Sequence, residues 1–214
     1  MKSLIYLILA IFLFQGCSSK QYYNPKDTKS FDLKKEIITL PSYIKSINSA
    51  GATTRDNRII NDFGVSEFQL SNGFEYINTV DKMIISADKS GNINLSDTNT
   101  TINFSSNVIG ATRKENLLAL VFSDNSFGIY DLSEKKFRLK EYLENSFIND
   151  TKFAMPIILN KITLFPTLDG KIAIVDNETY KVTRTLSIDL QNEVKNVILL
   201  KTIGDTLVGA SDNK

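Results

Sequence analysis

The stretch Lys161–Asp176 reads KITLFPTLDGKIAIVD, and its reading decides the fold. Ile162 and Leu164 alternate with Thr163 and Phe165. Asp169-Gly170 supplies a reversal that needs φ > 0, and Ile172, Ile174 and Asp176 follow at period two. The alternation predicts two half-buried strands and the Asp-Gly pair predicts the hairpin joining them. The pattern recurs. Leu117–Asp131 reads LLALVFSDNSFGIYD, Met83–Asp97 reads MIISADKSGNINLSD, and Asp205–Lys214, DTLVGASDNK, opens another copy. The closing aspartates Asp97, Asp131 and Asp176 lie 34 and 45 residues apart, the spacing of propeller blades.

Each unit resolves into four short strands. In the clearest copy these are Lys152–Leu159, Lys161–Phe165, Lys171–Asp176 and Lys181–Ile188, the last burying Val182, Leu186 and Ile188. The preceding unit offers Asn107–Thr112, Asn116–Phe122, Ser126–Asp131 and Lys136–Tyr142. The one before offers Phe74–Val80, Lys82–Ala87, Asn92–Ser96 and Thr101–Phe104, and a further unit begins with Val194–Leu200 and Thr206–Ala210. Nothing sustains an apolar 3.6-residue period over helix length. The expected fold is therefore all-β, a β-propeller of four-stranded blades, with the first strand of each unit facing the axis. The region 36–70 is less regular: Glu36–Leu40 and Tyr43–Asn48 read as strands and Arg58–Leu70 as a hairpin through Gly64. About three full blades plus partial ones do not close a ring of four to eight, so the expected propeller is incomplete and the chain is read as a portion of a longer protein.

The N-terminus has a different character. Met1-Lys2 gives a short basic start, and Leu4–Phe14 is an unbroken apolar run, the length of a signal-peptide core and short for a membrane span. Gly16-Cys17 follows directly and resembles the bacterial lipobox, whose Cys is diacylated and becomes the mature N-terminus. Phe14 and Gln15 depart from the usual Leu and small residue of that motif. The organisation expected is a signal peptide over 1–16, a lipidated flexible tether over 17–35 and the partial propeller over 36–214. Cys17 is the sole cysteine, so no intramolecular disulfide forms. Ser18 is not the Asp that retains lipoproteins at the inner membrane, which makes a periplasm-facing outer-membrane location the default.

Composition narrows the function. A net charge of +1 gives no reason to expect nucleic acid as a partner. The absence of His removes the commonest general base and metal ligand. Ser123 and Ser211 each precede an Asp, but without His no nucleophile–base pair of the usual kind forms. Asp88-Lys89-Ser90-Gly91-Asn92 has its Gly at the fourth position and no closing Glu, so it reads as a turn rather than a calcium loop.

With the lipobox at Cys17 and the repeat cores Ser86–Ile93 and Thr167–Ile172, the sequence resembles bacterial propeller lipoproteins built from PQQ-type repeats. The nearest in kind is the propeller lipoprotein of the outer-membrane β-barrel assembly machine. The Trp that docks neighbouring blades in that family is absent, so Leu95, Tyr130 or Val175 has to fill its place. The resemblance implies a non-catalytic scaffold, without metal or cofactor, that is held to the membrane through lipid on Cys17. Its partners would be proteins, outer-membrane assembly components among them. A quinone-dependent dehydrogenase and a surface-exposed adhesion or host-binding lipoprotein are the alternatives. Asp97-Thr98-Asn99-Thr100-Thr101 fits the extended bacterial N-glycosylation pattern at Asn99, and a chance match in an Asn- and Thr-rich loop is an equal reading.

The N-terminal reading makes a direct prediction. Protein isolated from bacterial membranes carries the added mass of acyl chains, and Cys17→Ala removes that mass and releases the protein from the membrane fraction. Unchanged mass and unchanged fractionation of the variant would contradict it.

Overall fold

The computed structural model describes residues 39–40, 42–146, 152–188 and 196–211, nearly all within one unit, Leu40–Lys214. Four four-stranded sheets follow one another along the chain. The first is β1 (Ile44–Asn48), β2 (Gly51–Thr54), β3 (Arg58–Asn61) and β4 (Gly64–Gln69). The second is β5 (Glu75–Val80), β6 (Met83–Ala87), β7 (Asn92–Leu95) and β8 (Thr100–Asn103). The third is β9 (Val108–Lys114), β10 (Leu117–Phe122), β11 (Ser126–Asp131) and β12 (Lys136–Tyr142). The fourth is β13 (Ile157–Ile158), β14 (Ile162–Pro166), β15 (Lys171–Asp176) and β16 (Lys181–Ser187). A two-stranded sheet, β17 (Val197–Ile203) and β18 (Thr206–Ser211), comes last. Every pairing is antiparallel between sequence neighbours, as in propeller blades.

The blades stack face to face through their first two strands: β5 lies against β9, and β9 against β13. Stacking buries both faces of the central strands. Leu118, Leu120 and Phe122 of β10 face the second blade with Ile85, Leu95 and Phe104, while Ala119 and Val121 face the fourth with Phe165 and Val175. The half-buried strands expected for Lys161–Asp176 are thus covered on both sides, with Thr163, Leu164 and Phe165 all 1% exposed or less. Period two persists because each face meets a different neighbour. Fully burying one such Leu or Phe stabilises by about 1.5–3 kcal/mol.

Aromatic rings occupy the junctions between blades. Phe127 stacks on Phe165 at 4.6 Å between the third and fourth blades. Tyr130 packs edge-on against Phe104 at 5.2 Å and Phe137 at 5.3 Å between the second and third. Leu95 and Val175 are also buried.

The hairpin of the clearest repeat is closed by a threonine. Thr167 Oγ1 donates to Asp169 Oδ1 at 2.5 Å and accepts from the Lys171 amide at 3.0 Å, around Gly170 at φ 75°. The same geometry stands in the first blade. Thr54 Oγ1 donates to Asp56 at 2.5 Å and accepts from the Arg58 amide at 2.9 Å, around Asn57 at φ 62°. The region expected to be irregular is therefore a complete blade, its turn spelled Thr-Arg-Asp-Asn-Arg instead of Thr-Leu-Asp-Gly-Lys, and Gly51–Thr54 is the strand the sequence reading missed. Asn tolerates the left-handed conformation that Gly supplies at Gly170.

Three further differences have physical causes. Of the expected strand Lys152–Leu159 only Ile157–Ile158 pairs in the sheet, because Pro156 has no N–H to donate and the Ala154 amide bonds Val197 O at 2.9 Å. Val182 is 38% exposed, since β16 is the outermost strand. In the expected first strand Glu36–Leu40, Thr39 and Leu40 are not in a strand, and 36–38 lie outside the described residues.

Candidate functional site

Consecutive hairpin turns at one end of the blades form a loop face. Asn61 Nδ2 donates to Thr79 Oγ1 at 3.2 Å, joining the first blade to the second. Arg113 joins the second to the third: its Nη1 bonds Asp97 Oδ2 at 2.7 Å, and its Nε donates to Glu115 O at 2.7 Å. Lys114 Nζ donates to Asn160 Oδ1 at 2.7 Å, and the Arg138 guanidinium lies over the Tyr180 ring, joining the third to the fourth. A cleft of about 580 Å³ opens where this face meets the junction of the first two blades, lined by Phe68, Val80, Asp81, Lys82, Ile84 and Glu115 among others. A smaller cleft of about 350 Å³, shared through Lys82 and Ile84, continues it to Phe63.

The first blade presents the aromatic portion of this face. Phe63, at the tip of the β3–β4 turn, is 87% exposed, and Phe68 on β4 is 43% exposed. Opposite them, Asp81 and Lys82 form the β5–β6 turn with φ of 47° and 69°. Among the described residues the carboxylates of Asp81 and Glu115 and the Lys82 ammonium make no hydrogen bond or ion pair. Sequence reasoning named none of these residues. The Asp-Phe-Gly spelling at 62–64, an aromatic at a turn tip, was the available signal.

Several other polar groups are committed to the fold. Asp131 closes the β11–β12 turn, accepting from Ser133 Oγ, from the Ser133 and Glu134 amides, and from Arg138 Nε and Nη2. The Ser133 hydroxyl, then the Glu134 amide and Arg138, hold its carboxyl far below the usual carboxylate range. Asp176 closes the corresponding turn of the fourth blade, its carboxyl lowered by the Thr179 amide and hydroxyl and the Glu178 amide. Burial works against the charge on Asp88, but hydrogen bonds from the Asn92 side chain and amide and the Ser90 amide outweigh it. The turn expected at Asp88–Asn92 is thus held by the carboxylate a calcium loop would have used. Lys140 rests its ammonium 3.1 Å from the centre of the Phe122 ring, and burial pulls it down to about 8. Among the described residues no three His, Cys, Asp or Glu side chains gather as a metal site.

The residues singled out from sequence are placed as follows. Asn99 sits exposed in the turn between β7 and β8 at φ 49°, two residues after the Asp97 that Arg113 holds. Cys17 lies outside the described residues.

No protein-family model matches the chain. It is similar over its whole length to the plasminogen-binding protein PgbB of Helicobacter pylori strains 26695 and J99, at 24% identity over 264 aligned residues. The chain spans about half, 48%, of those relatives. Among solved structures it superposes on BamB from Moraxella catarrhalis with a TM-score of 0.57 at 14% identity, covering 81% of this chain and 60% of that one. The computationally designed Ika8 protein gives a TM-score of 0.52 at 14% identity, covering 75% and 52%. The fold is thus the propeller expected from the resemblance to propeller lipoproteins.

The turn carboxylates set the acid response. Their folded pKa values lie below the unfolded value of about 4, so the stability they add is complete above that pH and is lost as pH falls through the lowered values. Urea unfolding at pH 6 and pH 3 tests this. Asp131→Asn is less stable than the parent at pH 6, and its stability falls by less between the two pH values. An equal fall in both proteins would contradict the assignment.

Proposed function

We propose that this chain is a non-catalytic, protein-binding propeller scaffold of the bacterial envelope, anchored through lipid on Cys17 with 17–35 as its tether. One observation carries the binding reading: Phe63 and Phe68 stand exposed on the first blade beside charged groups that have no partner among the described residues. Exposed clustered aromatics on a rigid body are the surface feature that marks contact with another protein. The carboxylates of Asp88, Asp131 and Asp176 are spent on turns, which supports a structural body over a reaction centre.

Plasminogen is the partner this reading puts first, because the relatives that match the whole chain are plasminogen-binding proteins. A host protein as partner goes with a surface-exposed chain. The role in outer-membrane assembly, with its periplasm-facing location, rests on a likeness of fold. Asn99 is proposed as a glycan acceptor because it is exposed in a turn, and the intact mass of the isolated protein reads it together with the lipid.

Capture experiments separate these partners. The detergent-extracted protein is expected to retain plasminogen on a sensor surface, and Phe63→Ser with Phe68→Ser is expected to weaken retention about tenfold, the effect of losing two aromatic anchors. Absence of plasminogen binding, with periplasmic crosslinks to barrel-assembly components instead, would replace the host partner by the assembly role. Absence of both would overturn the scaffold reading.

A further inference from the structure

The cleft between the first two blades carries more than exposure. β4 is the outer strand of its sheet, and among the described residues no strand pairs with its outer edge, although the Phe68 amide donates to Ser66 Oγ at 3.0 Å and the register with β3 shifts between Val65 and Gln69. The other outer strands differ from it. β12 carries Lys136, Arg138 and Lys140 and β16 carries Lys181 and Arg184, cations that discourage pairing at an edge. β8 has neither cation nor aromatic. β4, reading GVSEFQ, has an aromatic and a single charge, Glu67. Beside this edge runs the cleft of about 580 Å³, with Phe68 on one wall, Val80 and Ile84 in it, and Asp81 and Glu115 at its rim. Arg113 and Asp97, which also line it, neutralise each other at 2.7 Å. The remaining charges that line it are two carboxylates, Asp81 and Glu115, and one cation, Lys82.

We infer that this edge and cleft bind an extended segment of a partner protein that alternates basic and apolar residues. The segment's backbone pairs along β4 and its apolar side chains enter between Phe68, Val80 and Ile84. Its lysine or arginine side chains meet Asp81 and Glu115, with the Phe68 ring as a further attraction for a cation. Free carboxylates outnumber the free cation, so an acidic segment is disfavoured. This inference rests on the scaffold reading and adds the chemistry of the segment the scaffold takes.

The test uses the detergent-extracted full chain and two fluorescent eight-residue probes, one alternating Lys and Val, the other Glu and Val. Anisotropy is expected to show binding of the Lys–Val probe that weakens as salt rises from about 50 to about 500 mM, and no binding of the Glu–Val probe. Asp81→Asn with Glu115→Gln, which keeps side-chain shape at two positive-φ positions, weakens the Lys–Val probe about tenfold. Phe68→Ser, at an exposed position, does so independently, and unchanged circular dichroism of each variant certifies the fold. Failure of the Lys–Val probe to bind, equal binding of the two probes, or binding unaffected by either variant would overturn the inference. Plasminogen retained by the carboxylate variant while the probe is lost would leave the scaffold reading standing on another surface. The probe bound with no protein captured would remove the proposed partners and keep the cleft.

Discussion

A buried asparagine ties two blades together. Asn125, 2% exposed and at φ 60°, ends the β10 strand's turn. Its Oδ1 accepts the Leu168 amide at 2.9 Å, 43 residues away, and its Nδ2 donates to Glu144 O at 2.8 Å. Leu168 lies inside the turn that Thr167 closes. One side chain therefore fixes the turn of the third blade against that of the fourth, in a setting where an unpaired polar group would be costly. The apolar faces, Phe127 on Phe165 above all, can then meet in only one register. Similar polar pins recur: Asn78 Nδ2 on Ala111 O at 3.0 Å between the second and third blades, and Ser49 Oγ on Phe153 O at 2.5 Å between the first and fourth. Blade stacking by apolar area alone is non-directional. These pins supply the direction.

The fold was legible where the chain uses the commonest spelling of a turn. Asp169-Gly170 announced its hairpin, and the aspartates at 131 and 176 marked the ends of two third strands. It was illegible where another residue does the same work. Asn57 takes the place of Gly170, so a complete first blade read as an irregular region. Alternation along β14 gave the strand but not its double burial, because a side chain's period says nothing about how many neighbours the sheet has. Val182 looked like a core residue because it belongs to an alternating run, yet the run is the outer strand of its blade. The candidate site was the least legible region. Asp81, Glu115 and Phe68 are 13 to 47 residues apart in sequence and meet only because successive blades place their turns at one end.

The same economy shapes the functional account. Turn residues that would attract notice in a search for chemistry, such as Asp88 and Asp131, have their oxygens occupied by backbone and side-chain donors of their own turns. Phe63, Phe68, Asp81, Lys82 and Glu115 form an aromatic and charged border around the first blade whose side chains make no hydrogen bond or ion pair among the described residues. A rigid stack with a free border suits recognition of another protein, and the whole-length similarity to plasminogen-binding proteins agrees in kind.

The most direct test of the pinned-blade account is the urea unfolding free energy of Asn125→Ala. The substitution removes two buried hydrogen bonds and leaves an alanine in the left-handed region, so the account predicts a loss of about 2–4 kcal/mol. A loss below about 0.5 kcal/mol, the scale of an ordinary surface change, would mean that apolar stacking alone sets the arrangement of the blades.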